Sequence, residues 1–483
     1  MSSKTRKGVK WSVADQVMKQ SLILLTSAIL ARLITPEEFG YMGITLTFFI
    51  WFQNLADFGF EASIINKKDI REEELSSLFW TTAGTGFLFA FILFLCAPLI
   101  SAFFKLPELG NLVRVASAGI WIGAFGIVPG ALIQKRLQFK AFFIRHSVSY
   151  IIGGTIAVIM ALKGYGVWAL VAQHLIVCFL NVLVSFSLVR WKPILRFESR
   201  HISGHLKFIL PFMGHSNVHY WIRHLDNILI GKFLNAHALG IYNRAYNLMS
   251  FPVNQIAGTL SRVAFPSMAR YQDNRALIWD AFTGLLAAVA SIAFPLMAIA
   301  GIYSREIILI LFGPQWEEAT VIFRILCALG ALQTLQSMAY PVYLSTGKTK
   351  TMFGISLVTY PFMLSGLLLG LYYGGLTGLA YGYLTGGIIG FHFELYILSK
   401  RFGKTLADCY AAFMKELTAS MVLLAALFSF RKLVPIENIS GGIISIHVIA
   451  GLLFTTVFIY LLKRFKSRGY EEVKKLILLN SSG

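Results

Sequence analysis

The chain has 483 residues, of which 56% are hydrophobic and only 14% are charged. Soluble globular domains carry about 25% charged residues, so this composition excludes an ordinary soluble protein. The formal net charge of +20 resembles that of nucleic-acid-binding proteins, but the positions of the cations are better explained by membrane topology and anionic lipid headgroups. We therefore expect no nucleic-acid partner.

Fourteen apolar stretches follow one another along the chain. Each has about 20 residues or more, which is enough to cross a hydrocarbon core of about 30 Å as a helix. The predicted spans are 9–34, 39–66, 76–103, 110–134, 143–162, 166–189, 206–234, 239–268, 278–302, 318–345, 350–372, 376–398, 411–432 and 442–465. The first is too long for a cleavable signal peptide. Because every connection is short, we predict no folded domain outside the membrane.

Most of the 43 basic residues lie in the two tails and in every second connection. Clusters at 4–10, 135–145 and 463–475 are on this side, whereas the alternate connections hold few cations. Short cationic loops stay in the cytoplasm during insertion. The pattern therefore predicts that both termini are cytoplasmic.

The chain also contains an internal repeat. Matching pairs in the same order include Gly40 with Gly240, Asn54 with Asn254, and Pro129 with Pro341. An even number of spans per unit gives two parallel repeats. We predict an all-α polytopic membrane protein with 14 transmembrane helices, in which two pseudo-symmetric six-helix bundles surround a central cavity. The predicted lobes are 1–200 and 201–405, and 406–483 holds two extra transmembrane helices and a basic cytoplasmic tail.

Several polar residues lie inside the apolar stretches, where a charge is costly and usually faces a water-filled cavity. On helical stripes of four spans lie Asp15 and Lys19; Asn54, Asp57 and Glu61; His215, His219, Arg223 and Asp226; and Arg244 and Asn254. The four spans occupy equivalent positions in the two repeats, so a central cavity would collect all these side chains. Two simpler interpretations stay open: Arg223 and Asp226 form a structural ion pair, and Asp57 and Glu61 reach cytoplasmic water.

Other motifs indicate packing rather than chemistry. Glycines recur at every fourth position from Gly378 to Gly390, which is typical of closely packed membrane helices. The four cysteines are scattered singly and predict neither a disulfide nor a metal site. We expect no cofactor and no metal.

Three segments carry a family resemblance: 31–40, 55–60, and 226–231 with 238–242. Together with the paired spans, they resemble the polysaccharide transporter branch of the multidrug/oligosaccharidyl-lipid/polysaccharide exporter superfamily. That branch includes the O-antigen and exopolysaccharide flippases, of which the colanic-acid and teichuronic-acid exporters are the most similar. The resemblance covers nearly the whole chain but does not specify the sugar.

The resemblance implies a bacterial cytoplasmic-membrane flippase, not an enzyme. Such proteins move an undecaprenyl-pyrophosphate-linked oligosaccharide to the outer leaflet by alternating access, through a cationic cavity formed by helices 1, 2, 7 and 8. We predict that the phosphates are contacted by Lys19, Arg223 and Arg244, since these side chains bind phosphate through charge-assisted hydrogen bonds. The predicted cavity-lining and coupling residues are Asp15, Asn54, Asp57, Glu61, His215, His219, Asp226 and Asn254.

The implied partners are the lipid-linked oligosaccharide, membrane lipids, a polysaccharide polymerase and a chain-length regulator. Three alternatives remain. A drug/cation antiporter of the same superfamily favours an acidic, aromatic pocket, whereas the charges here are mixed and rich in arginine. A membrane-embedded polymerase or glycosyltransferase ordinarily needs a long loop with catalytic carboxylates. A flippase for the peptidoglycan precursor is excluded only weakly.

Overall fold

The computed structural model describes residues 3–67, 69–195, 197–198, 202, 217, 220–221, 223–270, 274–346, 348–436 and 441–481. Within these ranges all regular structure is helical and no strand occurs. The chain forms two compact units, Met1–Asn243 with Leu311–Gln315, and Arg244–Ile310 with Trp316–Gly483. The boundary between them lies after Asn243, and the predicted lobes 1–200 and 201–405 stay a prediction.

The first unit contains nine described helices and the start of a tenth. They are α1 (Ser3–Leu33), α2 (Pro36–Asp57), α3 (Phe60–Asn66), α4 (Glu72–Phe104), α5 (Leu109–Ala124), α6 (Ile127–Lys135), α7 (Phe139–Leu162), α8 (Val167–Val189), α9 (Leu225–Phe233) and α10 (Ala236–Arg270). Helix α1 packs along α7, α4 along α5, and α7 along α8. Buried aromatic and aliphatic side chains, among them Phe60, Phe79 and Trp191, form a core where α3, α4 and α6 meet.

The start of α2 is fixed by the segment that carries the family resemblance. Thr35 is the N-cap, its hydroxyl accepts from the backbone N–H of Glu38, and the Glu38 carboxylate accepts from the backbone N–H of Thr35 at 2.9 Å. This capping box satisfies donors that a helix start would otherwise leave unpaired. Glu38 also accepts from the backbone N–H of Val167 at 3.0 Å, so the same carboxylate joins the starts of α2 and α8.

Helix α10 begins in close contact with the start of α2. A Cβ atom on Gly40 would lie 1.8 Å from the carbonyl oxygen of Ala236, and a Cβ atom on Gly240 would lie 1.8 Å from the carbonyl oxygen of Pro36. The two contacts are reciprocal, and they join positions that match in the internal repeat. Glycine is required at both positions because any side chain would separate the two backbones.

Two spans predicted as continuous helices in the first unit are broken. The span 39–66 divides into α2 and α3 because Phe58 and Gly59 both have left-handed backbone angles, with φ of 54° and 78°. The span 110–134 divides into α5 and α6, which are bent by 46°. The break after Asp57 corrects the prediction that Asn54, Asp57 and Glu61 share one uninterrupted helical stripe.

The second unit holds the rest of α10 and the remaining helices, except for the last two residues of α12. They are α11 (Arg275–Ile302), α12 (Ser304–Phe312), α13 (Ala319–Gln336), α14 (Ala339–Ser345), α15 (Thr349–Arg401), α16 (Leu406–Leu433), α17 (Gly441–Arg464) and α18 (Arg468–Ser481). Helix α11 is central, since α13, α16 and α18 all pack against it. As in the first unit, a predicted span, 318–345, is divided between two helices, α13 and α14.

Helix α15 doubles back at Gly374 and Gly375, whose backbone angles are not helical. Its two arms pack through glycines: a Cβ atom on Gly378 would lie 2.1 Å from the carbonyl oxygen of Gly370, and one on Gly382 would lie 1.9 Å from that of Gly366. The sequence prediction that this glycine series serves helix packing is therefore confirmed.

Among the described residues, eight helices are long and apolar enough to cross a membrane, or nine if the bent pair α5 and α6 forms one span. One of the eight is the doubled helix α15, counted over Gly354–Arg401. The prediction of an all-helical polytopic membrane protein is confirmed. The number fourteen and the arrangement in two six-helix bundles stay predictions. Of the predicted span 206–234, residues 206–216, 218, 219 and 222 lie outside the described residues.

Candidate functional site

Polar side chains from the packed helices α1 and α7, joined by a carboxylate from α3, lie near one another in the first unit. We call Asp15, Lys19, Glu61, Arg145 and His146 the polar cluster. Its centre is the bond between Nδ1 of His146 on α7 and Oδ1 of Asp15 on α1, at 2.7 Å. Only 14% of the histidine side chain and 18% of the aspartate side chain are exposed. The cluster therefore lies within the helix packing rather than on a solvated loop.

Arg145 lies beside this pair and fixes the protonation of the imidazole. Its Nη2 atom is 3.0 Å from Nε2 of His146. A guanidinium group only donates, so Nε2 accepts and the proton on Nδ1 is donated to Asp15. Nη1 of Arg145 is 3.5 Å from the hydroxyl of Ser185 on α8, and its guanidinium carbon is 4.6 Å from the ring centre of Phe142.

Lys19 follows Asp15 by one helical turn and is half-buried. Its ammonium nitrogen is 6.0 Å from the ring centre of Tyr150, which lies one turn beyond His146 on α7. Asp15 attracts this ammonium group and Arg145 repels it. The helix pair α1 and α7 thus holds two cations around one carboxylate.

Two further carboxylates come from the break between α2 and α3. Oδ1 of Asp57 accepts from the backbone N–H of Glu61 at 3.2 Å, so Asp57 caps the first turn of α3. Glu61 in turn interacts electrostatically with Arg145. The break therefore positions Glu61 as a counter-charge for the cluster.

The cluster retains capacity to bind an anion. The Nε–H of Arg145 is buried and has no acceptor within the described part of the chain, and its contact with Ser185 is long. Arginine presents five N–H donors in a planar fork that suits phosphate oxygens. Lys19 supplies a second positive charge on the neighbouring helix. Such an arrangement has the donors and the positive charge to hold a phosphate group.

The other predicted site residues lie in different surroundings. Asp226 is buried, 5% exposed, and accepts from the hydroxyl of Tyr242 at 2.6 Å and from the backbone N–H of Asn227 at 2.8 Å, so the protein itself satisfies this carboxylate. Arg223 is exposed just before α9. Arg244 belongs to the second unit, with its guanidinium carbon 5.9 Å from the ring centre of Trp316.

Asn54 on α2 and Asn254 on α10 are both exposed on their helices. His215 and His219 lie outside the described residues. The structure therefore brings together Asp15, Lys19 and Glu61 from the predicted set, all in the first unit. It does not place Asp226 among them.

Arg145 and His146 are the site residues that the sequence analysis missed. The position of Arg145 at the edge of an apolar stretch, within the basic cluster 135–145, predicts a cation of a cytoplasmic connection. The structure places it in the second turn of α7, with its side chain turned into the helix packing. The adjacent pair Arg145-His146 inside a predicted span was the available signal, since one intramembrane ionisable residue normally requires a partner on another helix.

Comparison with known proteins assigns the chain to a family. The family described as polysaccharide biosynthesis protein has a model that matches residues 29–321. The chain belongs to that family. The match includes all three segments that carry the resemblance, 31–40, 55–60, and 226–231 with 238–242, so the recognition from sequence is confirmed.

Two curated relatives each align with more than two thirds of this chain. The lipopolysaccharide biosynthesis protein WzxC of Escherichia coli is 28% identical over 341 residues, 69% of this chain and 68% of WzxC. The teichuronic acid biosynthesis protein TuaB of Bacillus subtilis is 27% identical over 348 residues, 72% of each chain. Among solved structures, the lipid II flippase MurJ superposes with a TM-score of 0.77 at 15% identity, over 94% of this chain and 99% of MurJ. The shared fold is that of a multi-pass bacterial membrane protein.

Proposed function

We propose that the protein is a flippase that moves a lipid-linked oligosaccharide repeat unit from the cytoplasmic to the outer leaflet for surface polysaccharide synthesis. One observation carries the proposal: Lys19 and Arg145 lie together within packed membrane helices, with guanidinium donors left over. The names of the relatives, which refer to polysaccharide synthesis and lipid II flipping, support the same substrate class.

The substrate is a membrane lipid whose headgroup carries a pyrophosphate and a sugar chain. Moving this headgroup through the membrane requires cations that compensate for lost hydration. In our proposal Lys19 and Arg145 bind the pyrophosphate, and the Asp15–His146 pair holds Arg145 in position. Glu61 and Asp15 neutralise the two cations before the substrate arrives and after it leaves, so the empty protein does not carry an uncompensated buried charge.

Arg223 and Arg244 remain proposed phosphate contacts at other stages of transport, and Asp57 and Asp226 remain proposed counter-charges or coupling groups. We further propose fourteen transmembrane helices, two six-helix bundles around a central cavity, and both termini in the cytoplasm of a bacterial inner membrane. The polymerase and the chain-length regulator are proposed partners. No bond is made or broken in this proposal, so the protein acts as a transporter and not as an enzyme.

A strain that lacks the protein tests the proposed function. We expect lipid-linked repeat units to accumulate on the cytoplasmic side, because they are synthesised there and cannot cross. The measurement is extraction of the lipid-linked units, combined with access of a membrane-impermeant lectin or hydrolase to the sugars in spheroplasts. Units that accumulate in accessible form would instead indicate a polymerase, and unchanged polysaccharide with altered drug resistance would indicate an antiporter.

A further inference from the structure

A basic pocket opens at one end of the second unit, where four helices of that unit start or finish. It has a volume of about 320 Å³ and lies among the starts of α11 and α16 and the turn that joins α17 to α18. Its lining includes Lys404, Lys415, Lys466 and Arg468, together with Trp279 and Thr283. The proposed flippase mechanism uses none of these residues.

The acidic residues at this pocket are already engaged by other groups. Glu416, which is buried, accepts from the hydroxyl of Ser467 at 2.5 Å and from the backbone N–H of Gly469 at 3.0 Å. Asp408 forms the capping box at the start of α16, where its carboxylate accepts from the backbone N–H of Thr405 at 2.8 Å. In the described residues these carboxylates accept hydrogen bonds from backbone and hydroxyl groups and none from the pocket lysines, and Asp408 also attracts the ammonium group of Lys404.

The cations of the pocket differ in how many of their N–H donors already make hydrogen bonds. Nη2 of Arg468 is bound to Oδ1 of Asp280 at 2.7 Å, and Nζ of Lys415 donates to the carbonyl oxygen of Phe465 at 3.2 Å. The ammonium groups of Lys404 and Lys466 are exposed and make no hydrogen bond to any residue that the structure describes. The pocket thus offers two ammonium groups with all three protons available, and Lys415 with two more.

The turn between α17 and α18, which carries Lys466, packs tightly against α11. A Cβ atom on Gly469 would lie 2.4 Å from the carbonyl oxygen of Ala287, so the turn after α17 packs directly on the backbone of α11. Ser467 is fully buried beside it. Lys466 itself has a left-handed backbone, with φ of 47°. The packing therefore fixes the backbone at Lys466 beside the pocket, while its side chain is exposed.

Exposed apolar side chains lie near the pocket lysines, as expected where acyl chains of a lipid are in contact with the protein. Phe465 and Met414 flank the pocket lysines in sequence and are 62% and 41% exposed, and Leu277 beside Trp279 is 44% exposed. Helices α16 and α17, which begin or end here, are apolar enough to cross a membrane. Basic pockets between membrane helices on the cytoplasmic side bind the phosphates of anionic lipids.

We propose that this pocket binds a phosphate-bearing anion through Lys404, Lys415 and Lys466, and that the anion is the headgroup of an anionic phospholipid. The headgroup phosphate lies among the lysines, and the acyl chains run beside the apolar side chains outside. Occupation would tie the C-terminal helix α18 and its preceding turn to the start of α16. The inference stands apart from the flippase proposal, because it concerns a different site and a different ligand.

Native mass spectrometry of the full-length protein in detergent tests this inference. We expect phosphatidylglycerol to bind and phosphatidylcholine to bind far more weakly. The double variant Lys404→Gln/Lys466→Gln should weaken phosphatidylglycerol binding roughly thirty-fold, and Lys404→Gln alone roughly five-fold, given the usual contribution of a lysine near a lipid surface. The control Lys348→Gln/Lys400→Gln removes two exposed lysines of the same unit outside the pocket and should bind like the unmodified protein.

Two soluble ligands distinguish the source of the phosphate. Glycerophosphoglycerol and inorganic phosphate carry the headgroup chemistry without acyl chains, and we expect both to bind at least tenfold more weakly than the lipid. Binding of either with the affinity of the lipid, lost in the double variant, would support the anion pocket but assign it to a soluble phosphate. Equal binding of both phospholipids, or an unchanged affinity in the double variant, would overturn the inference.

Discussion

Lys19→Gln and Arg145→Gln are each expected to stop export of surface polysaccharide while the protein still reaches the membrane. Each variant removes a cation that we assign to the pyrophosphate, and hydrogen bonds to charged groups contribute about 1.5–3 kcal/mol. One such loss corresponds to a roughly 10- to 150-fold lower rate at limiting substrate. Extracted polysaccharide, normalised to the amount of protein in the membrane, measures the effect directly.

Conservative variants distinguish charge from geometry. Lys19→Arg keeps the positive charge and should retain much of the activity. Arg145→Lys also keeps the charge but loses the planar fork that contacts both His146 and Ser185, so we expect a partial loss. A merely structural role of Arg145 would lower the amount of folded protein in step with export, whereas a substrate role would lower export alone.

Lys140→Gln is the matched control, because Lys140 is an exposed cation near the start of the same helix, outside the polar cluster. It should support near-normal export. If Lys19→Gln and Arg145→Gln both produced normal amounts of polymer, the assignment of these residues to the substrate would be wrong, although the family membership would be unaffected.

Periodicity predicts Asp15, Lys19 and Glu61 of the polar cluster but does not predict Arg145 and His146. Asp15 and Lys19 were recognisable because they lie one turn apart inside a long apolar stretch, where any charge demands an explanation. Arg145 lies near one end of its predicted span, and there hydropathy alone cannot separate a buried cation from a loop cation. The packing of α1 against α7, which supplies Asp15 as the partner of His146, is a tertiary contact that no local pattern contains.

Hydropathy also does not show where an apolar stretch breaks into two helices. The stretch 39–66 is apolar throughout, so hydropathy predicts one helix, yet Phe58 and Gly59 adopt left-handed angles and divide it. The Phe-Gly pair was a usable signal, since glycine commonly allows this conformation. The hydrogen-bond partner of Asp226 could not be predicted either. Asp226 lies on the predicted stripe, but the hydroxyl that donates to it belongs to Tyr242 on the next helix. The glycine series of α15, by contrast, was predicted correctly because packing through small residues has a local sequence pattern.

Gly40→Ala and Gly240→Ala are expected to destabilise the folded protein strongly. The added Cβ atom would lie 1.8 Å from a backbone carbonyl oxygen in each case, a separation that no rotamer change can relieve. The starts of α2 and α10 would have to move apart, and overpacking of this kind costs about 1–3 kcal/mol or more. The thermal unfolding midpoint of the detergent-purified protein, followed by size-exclusion chromatography after heating, should fall by several degrees. The double variant should lose little beyond either single variant, because one separation of the helices relieves both contacts.

Gly84→Ala provides the control for the effect of alanine in a membrane helix of the same unit. No atom lies within 4 Å of the position that its Cβ would take, so the change adds only the better helix propensity of alanine, up to about 1 kcal/mol. Its unfolding midpoint should stay the same or rise. Because Gly40 and Gly240 are equivalent in the internal repeat and face one another's helices, equal losses in the two single variants are expected. A large loss at Gly40 with none at Gly240 would contradict the reciprocal contact.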